Sequence, residues 1–187
     1  MNRRELLKGA AAGMLALGVA PRLLAATRHD AAMRLADLER VHGGRLGVAI
    51  FDTDSGRRIA HRGDERFLMC STFKLLLAAV VLARVDRGEE KLDRRIVFDK
   101  SALLDWAPLT KQHVGPPGMT IAELCQAAIT LSDNTAANLL LASIGGPTAV
   151  TRYARSLGDS LTRLDRNEPT LNRPDGEKDT TTPWAML

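Results

Sequence analysis

The spacing of apolar residues after position 30 predicts a helix followed by a β-hairpin. Ala31, Leu35, Leu38 and Val41 recur at helical spacing and stop before Gly43 and Gly44. From Leu46 to Ile50, apolar residues then alternate with others until Asp54-Ser55-Gly56, which is a turn signal. Residues 57–61 supply the returning strand.

A second helix is predicted where the apolar pattern becomes continuous. Residues 75–83 are apolar on every side of a helix, which is typical of a helix buried all round and is far too short for a membrane span. Gly88 is expected to end it.

Capping residues predict the helices that follow. Thr120 and Glu123 have the spacing of a capping box. Residues 132–135 offer several N-cap side chains before an apolar segment, 136–142, that stops at Gly145 and Gly146. Pro147 then suits the first turn of a helix running to Gly158, and residues 167–182 are rich in loop formers. From Ser71 onward the chain is expected to be helical, with its strands lying earlier.

The first 26 residues have the features of an export signal. A charged start with Arg3, Arg4 and Lys8 precedes a short apolar stretch and closes on small residues. The paired arginines indicate the twin-arginine route, and therefore a periplasmic or secreted protein. A membrane anchor is the alternative, but the uncharged run is shorter than the roughly 20 residues that span a bilayer. We therefore expect a signal peptide at 1–26, an N-terminal helix and hairpin at 27–67, and a helical domain at 68–187, with no stable membrane insertion once the signal is removed.

Composition and charge narrow the function classes. The 187 residues are 45% hydrophobic and 26% charged, which is ordinary for a globular protein. Most of the net charge of +4 lies in the signal segment, so no nucleic-acid partner is expected. Cys70 and Cys125 allow at most one disulfide, and Cys70 is interpreted as a small buried thiol. The four histidines lack paired zinc-site spacing, so neither a metal nor another cofactor is expected.

The candidate chemistry begins with Ser71 and Lys74 in a Ser-x-x-Lys motif. Residues three apart share a helix face, so the lysine amine reaches the serine hydroxyl, and a lysine in a dry site has a lowered pKa that suits it to take the serine proton. By itself the motif more often marks a capped surface helix.

Two later motifs strengthen the catalytic interpretation. Ser132-Asp133-Asn134 offers a second hydroxyl and an amide, although a simple helix cap explains it equally well. Glu168 and Asn172 are four apart, so one helical turn directs a carboxylate and an amide at one spot, where they can hold a water molecule. The alternative for Glu168 is a solvated loop charge.

Together the motifs resemble those of the class A serine β-lactamases, for which Ser-x-x-Lys followed by Ser-Asp-Asn is a known signature. The resemblance runs from about Leu35 to Leu187 and is most specific in the block at 131–140. It implies an α+β fold of the β-lactamase/transpeptidase type, a helical domain packed beside an antiparallel sheet of which the first two strands are present. It also implies a small-molecule β-lactam as substrate, no cofactor, and a monomer.

The resemblance assigns roles to nine residues. Ser71 is the nucleophile, Lys74 its base, Ser132 the proton donor to the leaving nitrogen, and Glu168 the activator of the deacylating water. Substrate-site roles fall to Asn134, Asn172 and Trp106, the last lying either at the pocket rim or in buried packing. Arg166 and Asp179 correspond to the ion pair that pins the omega-type loop carrying Glu168.

The chain also departs from the family pattern. The segment from Asn172 to Asp179 is two residues shorter, which is expected to shift Glu168 relative to Ser71. Ala78 stands where some members have the cysteine that bonds to the site of Cys125, so Cys125 is expected to be a free thiol. No Lys-Thr-Gly triplet follows Asn172, so we expect a member truncated at its C-terminus. Three functions therefore stay open: β-lactam hydrolysis, a module that is acylated without turnover, and a non-catalytic remnant.

Overall fold

The structure is a computed structural model and describes residues 30–187. The expected signal peptide, at 1–26, lies outside the described residues. The chain divides into two compact units, one that includes residues 30–65 and one that comprises residues 66–186.

The first unit contains a helix, α1, at residues 30–42 and a hairpin of strands β1 (Val48–Phe51) and β2 (Arg58–His61). The strands are antiparallel, with Val48 opposite His61. This confirms the predicted helix and hairpin. Within the unit, Glu39 of α1 accepts hydrogen bonds from Arg62 and contacts His61, so α1 is tied to the end of β2.

The second unit is built around four helices: α2 (Phe73–Asp86), α3 (Ile121–Thr130), α4 (Asn134–Ser143) and α5 (Thr148–Ser156). The predicted capping box is present, because the Thr120 hydroxyl accepts from Glu123 N at 3.1 Å and the Glu123 carboxylate accepts from Thr120 N at 2.7 Å. Pro147 occupies the position just before α5 instead of its first turn. Phe73, Leu77, Leu124 and Leu140 are among the fully buried core side chains contributed by α2, α3 and α4.

The prediction that α2 is buried all round is wrong. Phe73, Leu77 and Val81 are fully buried, whereas Leu75 is 60% and Leu82 is 48% exposed. Because residues seven apart lie on one helix face, the two exposed leucines form an apolar stripe along α2. A continuous apolar run therefore identified the helix but not which of its faces are buried.

The expectation that strands lie only before Ser71 is also wrong. Strand β3 (Phe67–Leu68) pairs with β6 (Thr180–Thr181), and β4 (Arg95–Ile96) pairs with β5 (Met119–Thr120). Strands of two residues have no recognisable alternation, and these pairings join segments distant in the chain, so local pattern could not reveal them. The β3–β6 pair brings the start of α2 beside the end of the loop at 165–179.

No helix within residues 30–187 has the combined length and apolar character that crossing a membrane requires.

Candidate active site

Ser71 lies on a short 3-10 helix, Cys70–Thr72, that leads directly into α2. Lys74 is in the first turn of α2, and its Nζ lies 3.3 Å from Ser71 Oγ. Ser71 is exposed whereas Lys74 is 2% exposed. The spacing of three residues thus puts a solvent-accessible hydroxyl against a buried amine.

The Lys74 amine is surrounded by acceptors from Ser132, which lies between α3 and α4, and from Asn134, the first residue of α4. Its Nζ lies 2.8 Å from the Ser132 carbonyl oxygen, 3.0 Å from Ser132 Oγ and 2.7 Å from Asn134 Oδ1. Ser132 Oγ in turn lies 2.9 Å from Ser71 Oγ. Ser132 has a φ of 54°, in the left-handed region, and this conformation directs its carbonyl and hydroxyl to the same amine.

Burial lowers the pKa of Lys74 below its ordinary value of 10.5, because the dry site disfavours the charged form. The nearby Glu168 carboxylate opposes this shift without cancelling it. The neutral form also fits the contacts. A neutral amine has two hydrogens for the Ser132 carbonyl and Asn134 Oδ1, which only accept, and a lone pair that remains for a hydroxyl hydrogen.

Glu168 completes the cluster. Its Oε1 lies 3.4 Å from Lys74 Nζ, and its Oε2 accepts a hydrogen bond from Asn172 Nδ2 at 2.7 Å. The side chain is fully buried, which excludes the interpretation of Glu168 as a solvated loop charge. Oε1 has no hydrogen-bond donor among the described residues, so this buried oxygen keeps an unused acceptor position facing the amine. Glu168 therefore lies beside Lys74, and the expected shift of Glu168 relative to Ser71 stays a prediction.

Asn138 fixes the backbone of Glu168, and sequence reasoning gave it no role. Its Nδ2 donates to the Glu168 carbonyl and its Oδ1 accepts from Glu168 N, both at 3.0 Å. Asn138 is four residues after Asn134 on α4, so both amides lie on the face of the helix that borders the site. That spacing was the signal in the sequence that could have found it.

Arg166 and Asp179 are in contact at the base of the loop that carries Glu168. Arg166 Nε lies 2.6 Å from Asp179 Oδ2, and Asp179 Oδ1 accepts from the backbone N–H groups of Asp165 and Arg166 at 2.8 and 2.9 Å. The Asp179 side chain is fully buried. Arg166 also donates to the Arg173 carbonyl at 2.6 Å, so one side chain contacts both the end and the middle of the loop.

Asp133 confirms the N-cap predicted within residues 132–135, and it makes further contacts that the sequence did not reveal. Its buried carboxylate accepts from Ala136 N at 2.9 Å, as an N-cap of α4, and from Thr110 N at 3.0 Å and Leu109 N at 3.1 Å. An Asp immediately before an apolar helical segment is itself an N-cap signal. Its effect is to attach the 106–110 segment to the start of α4.

Trp106 belongs to this attached segment. Its carbonyl accepts from Asn134 N at 2.9 Å and its Nε1 donates to the Leu131 carbonyl at 3.0 Å. The indole is 58% exposed, so buried packing, one of the two readings of this residue, does not describe it.

The interpretation of Cys70 as a buried thiol is wrong. Cys70 is exposed and has a φ of 43°, whereas its neighbour Met69 is 2% exposed and belongs to the core. The left-handed turn at Cys70 thus leaves the core position to Met69. Cys125 is unpaired, as expected, and burial raises the pKa of its thiol to about 11.

A cavity of about 490 Å³ opens beside the cluster. Ser71, Lys74 and Ser132 line it together with apolar side chains, which include Leu75, Ala128, Ile129 and Met186. Polar groups that converge at one wall of an apolar cleft are typical of a small-molecule site. Within the described chain, no group of three or more His, Cys, Asp and Glu side chains could hold a metal ion.

Comparison of the sequence with known protein families assigns the chain to a family. The model of the "Beta-lactamase enzyme family" matches residues 30–187, so the chain belongs to that family. Its relatives include β-lactamase L2 of Stenotrophomonas maltophilia, 52% identical over 158 residues, and β-lactamase OXY-2 of Klebsiella oxytoca, 49% identical over 155 residues.

The solved structures that resemble the chain place it within class A. An ancestral Gram-negative (GNCA) class A β-lactamase is 65% identical with a TM-score of 0.80, and covers 83% of this chain. The putative class A β-lactamase PenP from Rhodopseudomonas palustris is 61% identical with a TM-score of 0.81, and covers 84%. The chain thus belongs to the class A β-lactamases. It spans 60% of each of these two structures, 52% of the L2 enzyme and 53% of the OXY-2 enzyme, although the matches cover 83% and 82% of this chain.

Proposed function

We propose that this protein hydrolyses the amide bond of β-lactam antibiotics through an acyl-enzyme on Ser71, and so confers resistance. One observation carries the proposal. A single lysine, Lys74, contacts the hydroxyls of Ser71 and Ser132 and the carboxylate of Glu168 within 3.4 Å. Acylation and deacylation both need proton transfers next to the same reacting carbonyl group. The two hydroxyls and the carboxylate that can take part in them all surround the Lys74 amine.

In the acylation step, Ser71 Oγ attacks the lactam carbonyl carbon while its proton passes to the neutral Lys74 amine. The tetrahedral oxyanion that forms accepts a hydrogen bond from the Ser71 backbone N–H, which lies in the first turn of a 3-10 helix and has no intrahelical partner. The lowered pKa of Lys74 makes the neutral amine accessible closer to neutral pH.

Collapse of this intermediate breaks the carbon–nitrogen bond of the ring. The leaving nitrogen takes a proton from Ser132 Oγ, which is resupplied by the Lys74 ammonium group 3.0 Å away. Proton and charge balance because the proton removed from Ser71 ends on the ring nitrogen and Lys74 returns to its neutral form. The product of this step is an ester on Ser71.

Deacylation requires a water molecule beside that ester. Glu168 Oε1 supplies a buried acceptor to which none of residues 30–187 donates a hydrogen bond, and Asn172 holds the other carboxylate oxygen. The carboxylate takes a proton from water as the water oxygen attacks the ester carbonyl. The bond from that carbon to Ser71 Oγ then breaks, and Glu168 returns the proton to Ser71 Oγ. Arg166 and Asp179 would act indirectly, by keeping the loop that carries Glu168 in place.

Substrate binding falls to the groups that border the cavity. Asn134 Oδ1 is occupied by Lys74, so its Nδ2 remains to donate to a carbonyl of the substrate side chain. The exposed Trp106 suits a position at the rim, and the apolar wall of the cavity suits an apolar side chain. Export by the twin-arginine route to the periplasm or exterior and action as a monomer without a cofactor complete the proposal.

The test is turnover of a chromogenic cephalosporin by the purified chain. We expect hydrolysis that disappears in Ser71→Ala, and a burst of about one equivalent followed by slow release in Glu168→Gln. A burst without turnover in the parent would favour the acylated module. No burst and no turnover in the parent would contradict the proposal and favour the non-catalytic remnant.

A further inference from the structure

A second cleft lies at the opposite ends of α2 and α4 from the proposed catalytic groups. Its volume is about 510 Å³. The charged side chains that line it are Arg84, Glu89, Glu90, Lys91 and Arg94, and Ser143 at the end of α4 also lines it. Arg84 is ten residues beyond Lys74, which along a helix corresponds to roughly 15 Å. The cleft is therefore separate from the cavity beside Ser71.

The two carboxylates of this cleft are already neutralised. Arg94 forms two contacts with Glu90, at 2.7 and 2.6 Å, and Arg87 forms two with Glu89, at 2.7 and 3.2 Å. In each pair the arginine lowers the pKa of the carboxyl, so both glutamates are ionised and paired. Neither carboxylate is therefore available to pair with a further cation.

Arg84 and Lys91 are left with charge that is poorly compensated. Arg84 Nη1 lies 3.9 Å from Glu89 Oε2, beyond hydrogen-bond distance, and the buried Nε of Arg84 has no hydrogen-bond partner in the part of the chain that the structure describes. Lys91 is exposed, and no carboxylate of residues 30–187 lies within ion-pair distance of its ammonium group. Leaving a buried guanidinium donor without an acceptor is unfavourable. The wall of the cleft at Arg84 therefore carries positive charge without a matching hydrogen-bond acceptor.

The C-terminal ends of α2 and α4 also border the cleft, and a helix C-terminus disfavours anions. Each end counts as about half an elementary charge, whereas Arg84 and Lys91 carry full charges. The carbonyls at the end of α2 are moreover bonded to the N–H groups of Arg87 and Gly88. The positive charge of Arg84 and Lys91 therefore outweighs the partial negative charge of the two helix ends.

We propose that this cleft binds a small oxyanion, a phosphate or carboxylate group, between Arg84 and Lys91. The anion would accept from the accessible terminal nitrogens of Arg84, whose contact with Glu89 is 3.9 Å long, and the paired glutamates would set the far limit of the site. Because the site is remote from Ser71, occupancy does not compete with a β-lactam.

Isothermal titration of the purified chain with inorganic phosphate, and separately with succinate, tests the proposal at constant ionic strength maintained with chloride. We expect saturable one-to-one binding of at least one anion, and the anion bound more tightly identifies which oxyanion the cleft prefers. Loss of one charged contact should weaken binding about tenfold in Lys91→Gln and in Arg84→Gln.

Two variants serve as controls. Lys100→Gln removes an exposed lysine outside the cleft, and Ser71→Ala alters the other cavity; both should bind as the parent does. If Arg84→Gln does not fold, binding by Lys91→Gln decides the test, because Lys91 is exposed. Absence of saturable binding, equal weakening by Lys100→Gln, or loss of binding in Ser71→Ala would overturn the proposal.

Discussion

Replacing Asp179 by Asn should destabilise the loop that carries Glu168 far more than the same change at Asp175. Both carboxylates face Arg166, but Asp179 is fully buried and 2.6 Å from it, whereas Asp175 is 50% exposed and 3.6 Å from it. In Asp179→Asn the new Oδ1 still accepts from the backbone, and the lost oxygen leaves Arg166 Nε without its anion.

The expected magnitudes follow from burial. Removing one partner of a buried ion pair typically costs about 3 to 5 kcal/mol, and because Arg166 is partly exposed and keeps the Arg173 carbonyl, we expect about 3 kcal/mol for Asp179→Asn. An exposed pair contributes about 0 to 1 kcal/mol, which sets the expectation for Asp175→Asn.

Urea unfolding followed by tryptophan fluorescence measures both losses, and hydrogen exchange at the Arg166 amide reports on the loop itself. That amide keeps its acceptor in Asp179→Asn, so its protection should fall there through more frequent opening of the weakened loop, and should persist in Asp175→Asn. Equal changes in the two variants would refute the reasoning that burial, and not the shared arginine, decides the stability.

Two further predictions concern other parts of the chain. Gly118→Ala should destabilise the protein by about 3 kcal/mol or more, because the new Cβ would lie 2.1 Å from the Ile96 carbonyl oxygen. Gly115→Ala, at a φ of 80° but in open space, should cost only about 1 to 2 kcal/mol. Similar urea midpoints for the two variants would contradict this reasoning. Hydrogen bonds from Arg62 and His61 lower the pKa of Glu39 from 4.5 to about 2, so its stabilising effect is complete above 4.5 and is lost as the pH falls through about 2. In acid titrations Glu39→Gln should therefore reduce the loss of stability over that window, and an unchanged pH profile would argue against the contact.

The parts of the site that lie close together in sequence were predictable. Ser71 and Lys74 share a helix face because they are three apart, and Glu168 and Asn172 meet across one turn, which the structure builds as a 3-10 helix at Thr170–Asn172. These contacts depend on local geometry alone.

Groups brought together by distant segments were not predictable in detail. Asn138 holds the backbone of Glu168 from thirty residues away, and the β3–β6 pair joins segments more than a hundred residues apart. Such contacts depend on how helices and loops pack, which apolar periodicity does not encode. The same limit explains Leu75 and Leu82, whose exposure is decided by what packs on α2 and not by the helix itself.

The central claim is that Ser71 becomes esterified in a cluster that also contains the group for removing the ester. Intact mass and peptide mapping of Glu168→Gln after exposure to benzylpenicillin test it most directly. We predict a single adduct with the full mass of the antibiotic, located on the peptide containing Ser71 and absent when Ser71→Ala is added. An unmodified protein, or an adduct that survives Ser71→Ala, would contradict the account.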